Sequence, residues 1–168
     1  VNTTDSRGRD VERIAEQERR LRLPRFDLAI AWELGCRLRE RALARHAAVA
    51  IEVRLSKETV FFCAMPGATP ANADWARRKR NTVELTHRSS YALGRSAQDD
   101  GETLIERIGL ASRDYAIAGG AVPISVEGVG CIGVAAVSGL PQREDHELIV
   151  EVLAEMCSVP LDEVRLDV

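Results

Sequence analysis

Two pairs of β-rich runs, each joined by a short turn, constrain this chain more than any other feature. The first pair is "AVAIEVRL" and "TVFFCAM", separated by "SKE". The second lies within "GGAVPISVEGVGCIGVAAVSGL" and reads as strands over Ala121 to Val126 and Cys131 to Val137, turning at "EGVG". β-branched runs closed by short polar or glycine turns predict hairpins. In the first hairpin Ile51, Val53 and Leu55 share one face, and Glu52 and Arg54 share the other. Two hairpins give an antiparallel sheet, which the intervening segments must cover.

Those segments read as helices. "DVERIAEQERRL" (Asp10 to Leu21) has a partial apolar stripe, and "LPRFD" interrupts it at Pro24. A longer helix spans about Phe26 to His46, with Ala31, Leu34, Leu38 and Ala42 on its apolar face. Gly35 inside that helix costs about 1 kcal/mol against alanine, which a close backbone contact would explain. Thr69 before Pro70, or Asn72, caps the helix that follows. Two short helical pieces then flank a loop at Asp99 to Gly101. A last helix begins near Pro141, with acids in its first turn, and ends near Cys157 before a tail that docks or frays. The order α-α-β-β-α-α-β-β-α predicts an α+β fold. We expect residues 1–10 to form a flexible N-terminal segment and residues 11–168 a single domain, a length suited to one core.

A net charge of −3 gives no global attraction to nucleic acid or anionic lipid, so anion binding must be local. No apolar run approaches bilayer length and the N-terminal stretch has no apolar signal core, so the expected location is the cytoplasm. Cys36, Cys63, Cys131 and Cys157 are far apart and set among apolar neighbours, which predicts buried, inert thiols. His46, His87 and His146 make no metal-binding spacing, and no metal is expected.

One region stands apart. "DWARRKR" puts Arg77, Arg78, Lys79 and Arg80 in succession after Trp75. Four successive helical residues span about 300°, so they cannot form one basic face. With few aromatics nearby and no second basic stretch, nucleic-acid binding is not expected. A helix packed on the sheet must instead send at least one of these cations inward or towards a subunit interface, where it needs a carboxylate, phosphate or carbonyl partner. Structural ion pairing and a ligand-anion site both satisfy that requirement. In "HRSSY", Ser89, Ser90 and Tyr91 beside Arg88 suit an oxyanion, or serines capping a helix end. Gly119 and Gly120 permit either close approach of a ligand to the backbone or a tight corner. Asp145 and His146 occupy the first turn of the last helix, where the dipole favours a neutral imidazole suited to haem or metal ligation or general-base work; a surface or capping role is the alternative.

The motifs together resemble a known family. "QE" (Gln17, Glu18), "FD…AWELG" (Phe26 to Gly35), "MPGATPANADWARRKRNTV", "SSY", "GGAVPI" and "GCIGVAAVSGLPQREDHELIV" are similar to the GlcG/HbpS-like, haem-degrading domain proteins. The resemblance implies a profilin-like, three-layer fold with a central antiparallel sheet of about five strands flanked by helices, the fifth falling to Asp114–Ala118. It also implies homo-oligomers built from dimers. The expected site is a pocket for a small anionic ligand lined by Trp75, Arg78, Lys79, Ser89, Ser90, Tyr91 and the Gly119–Gly120 backbone, with Asp145 and His146 near it. Binding or degradation of haem or another tetrapyrrole is the alternative: aromatic residues, at 4%, are a poor supply for a porphyrin pocket, but its propionates suit the arginines. A protein without ligand, whose cations serve subunit contacts, is the other alternative.

Overall fold

The computed structural model describes residues 3–97 and 104–167. The elements are α1 (Thr3–Arg20), β1 (Arg22–Leu23), α2 (Leu28–Ala44), β2 (Ala50–Leu55), β3 (Glu58–Ala64), α3 (Pro70–Thr86), α4 (Ser90–Ser96), α5 (Leu104–Arg107), β4 (Ala121–Val126), β5 (Gly130–Ser138) and α6 (Gln142–Met156), followed by a 3-10 turn at Leu161–Glu163. The five strands form one sheet in the order β1-β4-β5-β2-β3. Both hairpins form where expected. Ser56 and Lys57 both take positive φ, so the first closes on a two-residue turn matched to the sheet twist. In the second, Gly128 and Gly130 supply the positive φ values around the turn.

The fifth strand is a correction. It is β1, two residues beside the predicted breaker, and it pairs parallel with β4, so the sheet is mixed rather than wholly antiparallel. Asp114 to Ala118 forms no strand; instead the Ala116 N–H donates to the Arg78 carbonyl, tying this segment to α3. The loop expected at Asp99 to Gly101 lies outside the described residues. α1 extends upstream of the expected Asp10, to Thr3.

Strand alternation sorts the core into two layers. Ile51, Val53, Phe61, Val122, Ile124, Ala135 and Val137 pack under α2 and α6. Ala121, Val134 and Ala136 point the other way and meet Ala76 and Val83 of α3. The sheet is therefore the middle of three layers. Asp27 starts α2 by accepting the Ile30 N–H at 2.9 Å, and the Thr69 N–H donates to Asn72 Oδ1 at 2.8 Å, so both residues named for α3 take part in its cap. The tail docks: Val164 and Leu166 are buried, and Gln17 Nε2 donates to the Val164 carbonyl at 2.7 Å.

The thiols are all free, but each is half-buried rather than buried, because each sits at the margin of a packed layer. Burial still pushes the Cys131 thiol up and the Cys157 thiol to about 11, which keeps both protonated near neutrality. No helix among the described residues is long and apolar enough to cross a membrane.

Candidate functional site

The inward face of α3 is set by helical spacing: Ala76, Lys79 and Val83 recur at i, i+3 and i+7 and are all buried. Lys79 is the inward cation of the run and is only 2% exposed. Its ammonium donates to the carbonyls of Gly119 at 2.8 Å and Val137 at 2.7 Å, and to Asp145 Oδ2 at 3.1 Å. Three donors thus meet three acceptors. Asp145, in the first turn of α6, also accepts the Leu140 N–H at 3.0 Å and the Gly139 N–H at 3.3 Å. Burial pushes the Asp145 carboxyl above its ordinary range and the Lys79 ammonium below its own, against the attraction of each for the other.

The double glycine makes room for this pair. Gly120 has φ +119°, and a Cβ there would meet Lys79 Nζ at 2.5 Å and Asp145 Cβ at 2.8 Å, besides the Val137 carbonyl. A Cβ on Gly119 would strike the Gln142 carbonyl and the Tyr91 ring. The glycines therefore form a tight corner around an internal ion pair.

The serines and the tyrosine are interior too. Ser89 caps α4, its hydroxyl accepting the Ala92 N–H at 3.2 Å, and its own N–H donates to Glu18 Oε1 at 2.7 Å. The Ser90 hydroxyl accepts the Ala121 N–H at 3.1 Å. Tyr91 is buried, with its ring centroid 5.3 Å from that of His146. His146 is 1% exposed and lies 2.7 Å from Gln17 Oε1 through Nε2. Since the Gln17 amide nitrogen donates to Val164, its oxygen must accept, which puts the imidazole proton on Nε2 and leaves Nδ1 without a partner. Burial, then the nearby Arg143 charge, drops the imidazole to about 3, so it is neutral at physiological pH.

The remaining cations of the run point elsewhere. Arg77 bonds Asp74 at 3.1 Å and Asp114 at 3.0 Å. Arg80 pairs with Glu52 at 2.9 Å, across to β2. Arg78 makes no ion pair among the described residues. Its guanidinium lies over the Trp75 ring, 4.2 Å from the centroid, and its Nε is buried without a partner. Trp75 is 42% exposed. The structure thus brings Lys79, Ser90, Gly119, Gly120 and Asp145 into one buried hydrogen-bonded corner. It joins Tyr91 to His146 beside that corner and leaves the half-buried Arg78 against the exposed Trp75 ring.

Sequence reasoning did not single out Asp10, Arg95 and Arg143. Asp10 is buried and bridges Arg95 at 2.9 Å and Arg143 at 3.0 Å, linking α1, α4 and α6. Each looks like an ordinary surface charge in its own helical pattern, and only tertiary packing joins them. A cleft of about 220 Å³ opens between Ser56, Lys57, Glu84, His87 and Cys131–Gly133, and none of the expected site residues lines it. Among the described residues no group of three or more His, Cys, Asp and Glu side chains is placed to hold a metal ion.

Comparison with known proteins places this geometry in context. The family described as haem degrading protein HbpS-like matches residues 26–154. A UPF0303 protein of Azotobacter vinelandii is 55% identical over 95% of this chain and 96% of its own. Among solved structures, the Ybr137w protein superposes with a TM-score of 0.80 at 28% identity, covering 88% of this chain and 87% of that one. The haem complex of PduOC superposes at 0.66 with 17% identity, over 77% of this chain and 93% of that one, and so shares the fold.

Proposed function

The chain belongs to the HbpS-like family, and from that premise we propose that it is a self-associating cytoplasmic protein that binds a small anionic ligand through Arg78 and Trp75. One observation carries the reading: of the four cations of the run, Arg78 alone has no counter-charge among the described residues, and it is held against an exposed aromatic ring. Stacking fixes the guanidinium plane, so its remaining N–H groups are aligned for bidentate contact with a carboxylate or phosphate. The buried corner of Lys79, Asp145, Gly119 and Gly120 lies behind this surface and holds α3 in place. Its three ammonium donors are already used, so its part in binding is to position the helix.

Haem enters as a second reading, because relatives of this fold bind it: a PduOC structure contains haem. The residues present do not fit an axial ligand at His146. That side chain is enclosed, and its one free nitrogen faces the interior. A haem held by its propionates at Arg78, with the ring against Trp75, fits the same surface as any other carboxylate ligand.

Thermal-shift measurements with inorganic phosphate, citrate and haem test the proposal. A ligand at 100 times its Kd stabilises by about 2.7 kcal/mol, or roughly 5–10 °C for a domain of this size. The shift should vanish in Arg78→Ala, while the melting temperature without ligand stays within about 4 °C of wild type, since the change removes one stacking contact and no ion pair. No shift with any of the three in wild type, or an equal shift in Arg78→Ala, would overturn it.

A further inference from the structure

The sheet has two unlike edges. One is β1, only two residues long, which exposes almost no backbone. The other is β3, seven residues bonded to β2 alone. Soluble proteins blunt such edges with prolines, lysines or bulges that turn the strand away. Within β3 the sequence after Glu58 is "TVFFCA", without a charge or proline; the pairing shifts register at Val60 and is regular from Phe61 to Ala64, where Phe62 is 52% exposed. An uncharged, β-branched and aromatic edge of this kind pairs readily with another strand.

Helix α2 adds to the same surface. One of its flanks is closed by α6, where Arg37, Arg41 and Arg45 pair with Glu151 and Glu155. The other flank lies over β3, where Gly35 lets the Phe61 ring press against the helix backbone. Leu28, Trp32, Arg39 and Leu43 recur along that free flank at helical spacing. Leu28 is 62% exposed and Trp32 56%, and Trp32 sits edge-on to Phe61 at 5.3 Å. Apolar side chains therefore line both sides of the unpaired edge, Trp32 on the α2 side and Phe62 on the α3 side.

We infer that this edge is where two copies of the chain meet, β3 pairing antiparallel with β3 about a twofold axis and the free flank of α2 packing on its counterpart. Self-pairing suits the surface. A twofold axis sets identical strands antiparallel and forms a closed contact with no edge left over. Arg39 on the flank, and Lys57 and Glu58 at the start of β3, are exposed and carry no ion pair among the described residues, so the surface offers a second copy charges of both signs. A partner of strong single charge finds no such match. A 17-residue helix is about 25 Å long, and a strip of that length across helix, strand edge and Phe62 buries on the order of 600 Å² per partner, the lower end for a stable contact.

This inference rests on the self-association part of the proposed function and not on its ligand. Light scattering coupled to size exclusion reads it directly. Wild type should run as a dimer or a multiple of one. Phe62→Lys and Trp32→Glu, both changes at exposed positions, should each lower the mass at least twofold with the circular dichroism spectrum kept. Val129→Lys, at an exposed apolar position in the β4–β5 turn, should leave the mass unchanged. Hydrogen exchange gives a second reading without mutation: the amides between Thr59 and Ala64 that point away from β2 should lose protection on dilution. A monomeric wild type would sink self-association and this contact together. An assembly whose mass survives both Phe62→Lys and Trp32→Glu, or whose edge-facing β3 amides exchange freely, would overturn the contact alone.

Discussion

Lys79 carries a charge into the interior because each of its donors has an acceptor, and one of them is a carboxylate 66 positions away. Removing one partner of such a pair leaves the other buried alone, which costs about 3–5 kcal/mol. Lys79→Ala should lose that much in urea unfolding. Gly120→Ala should cost about 3 kcal/mol, since it combines an unfavourable φ with a Cβ pressed on Val137 and Lys79. His146 sets a pH dependence. The unfolded imidazole takes up its proton near 6.5 and the buried one near 3, so its contribution to stability is full above 6.5 and declines as pH falls towards 3. Between pH 7 and 5 the loss is about 2 kcal/mol. The raised Asp145 carboxyl pulls the other way, favouring the fold as pH falls, so the histidine is isolated by difference. His146→Gln should flatten the decline between pH 7 and 5 relative to wild type, and an unchanged slope would refute the assignment. Helical geometry alone required an inward cation with a carboxylate or carbonyl partner. It did not identify the carboxylate, because nothing in a sequence brings residues 79 and 145 together.

At the scale of elements, α3 is keyed to the sheet by charge as well as by apolar contact. Glu52 and Arg54, predicted on the face opposite Ile51 and Val53, meet Arg80 and Glu84 of α3, the first pair at 2.9 Å and the second at 3.0 Å. The alternation was legible in β2, and the partners were not. Gly35 shows the same division. Its cost within a helix pointed to a close contact, and the contact is the Phe61 ring. Gly35→Ala should therefore destabilise by about 1–3 kcal/mol through overpacking, although alanine is the better helix former, and a chemical melt that instead showed stabilisation would contradict the packing. β1 was missed because two residues carry no periodicity. Its pairing with β4 is a backbone event next to a proline that reads as a break.

At the scale of the whole molecule, the three-layer arrangement followed from hairpins, helix stripes and a family resemblance. The division of the motif cluster into interior and surface did not. Trp75, Arg78 and Lys79 lie within one turn of each other, yet Lys79 enters the core while Arg78 stacks on the exposed tryptophan. The net charge of −3 makes this local feature matter, since anions gain nothing from the molecule as a whole. Trp75 itself reports the central claim. With Trp32→Phe in place, the remaining tryptophan is the one beneath Arg78, and its fluorescence can be followed during titration with phosphate, citrate or haem. At least one of these should change the emission saturably, and Arg78→Ala in the same background should abolish the change. Emission that stays flat with all three, or a titration curve that survives Arg78→Ala, would contradict the account.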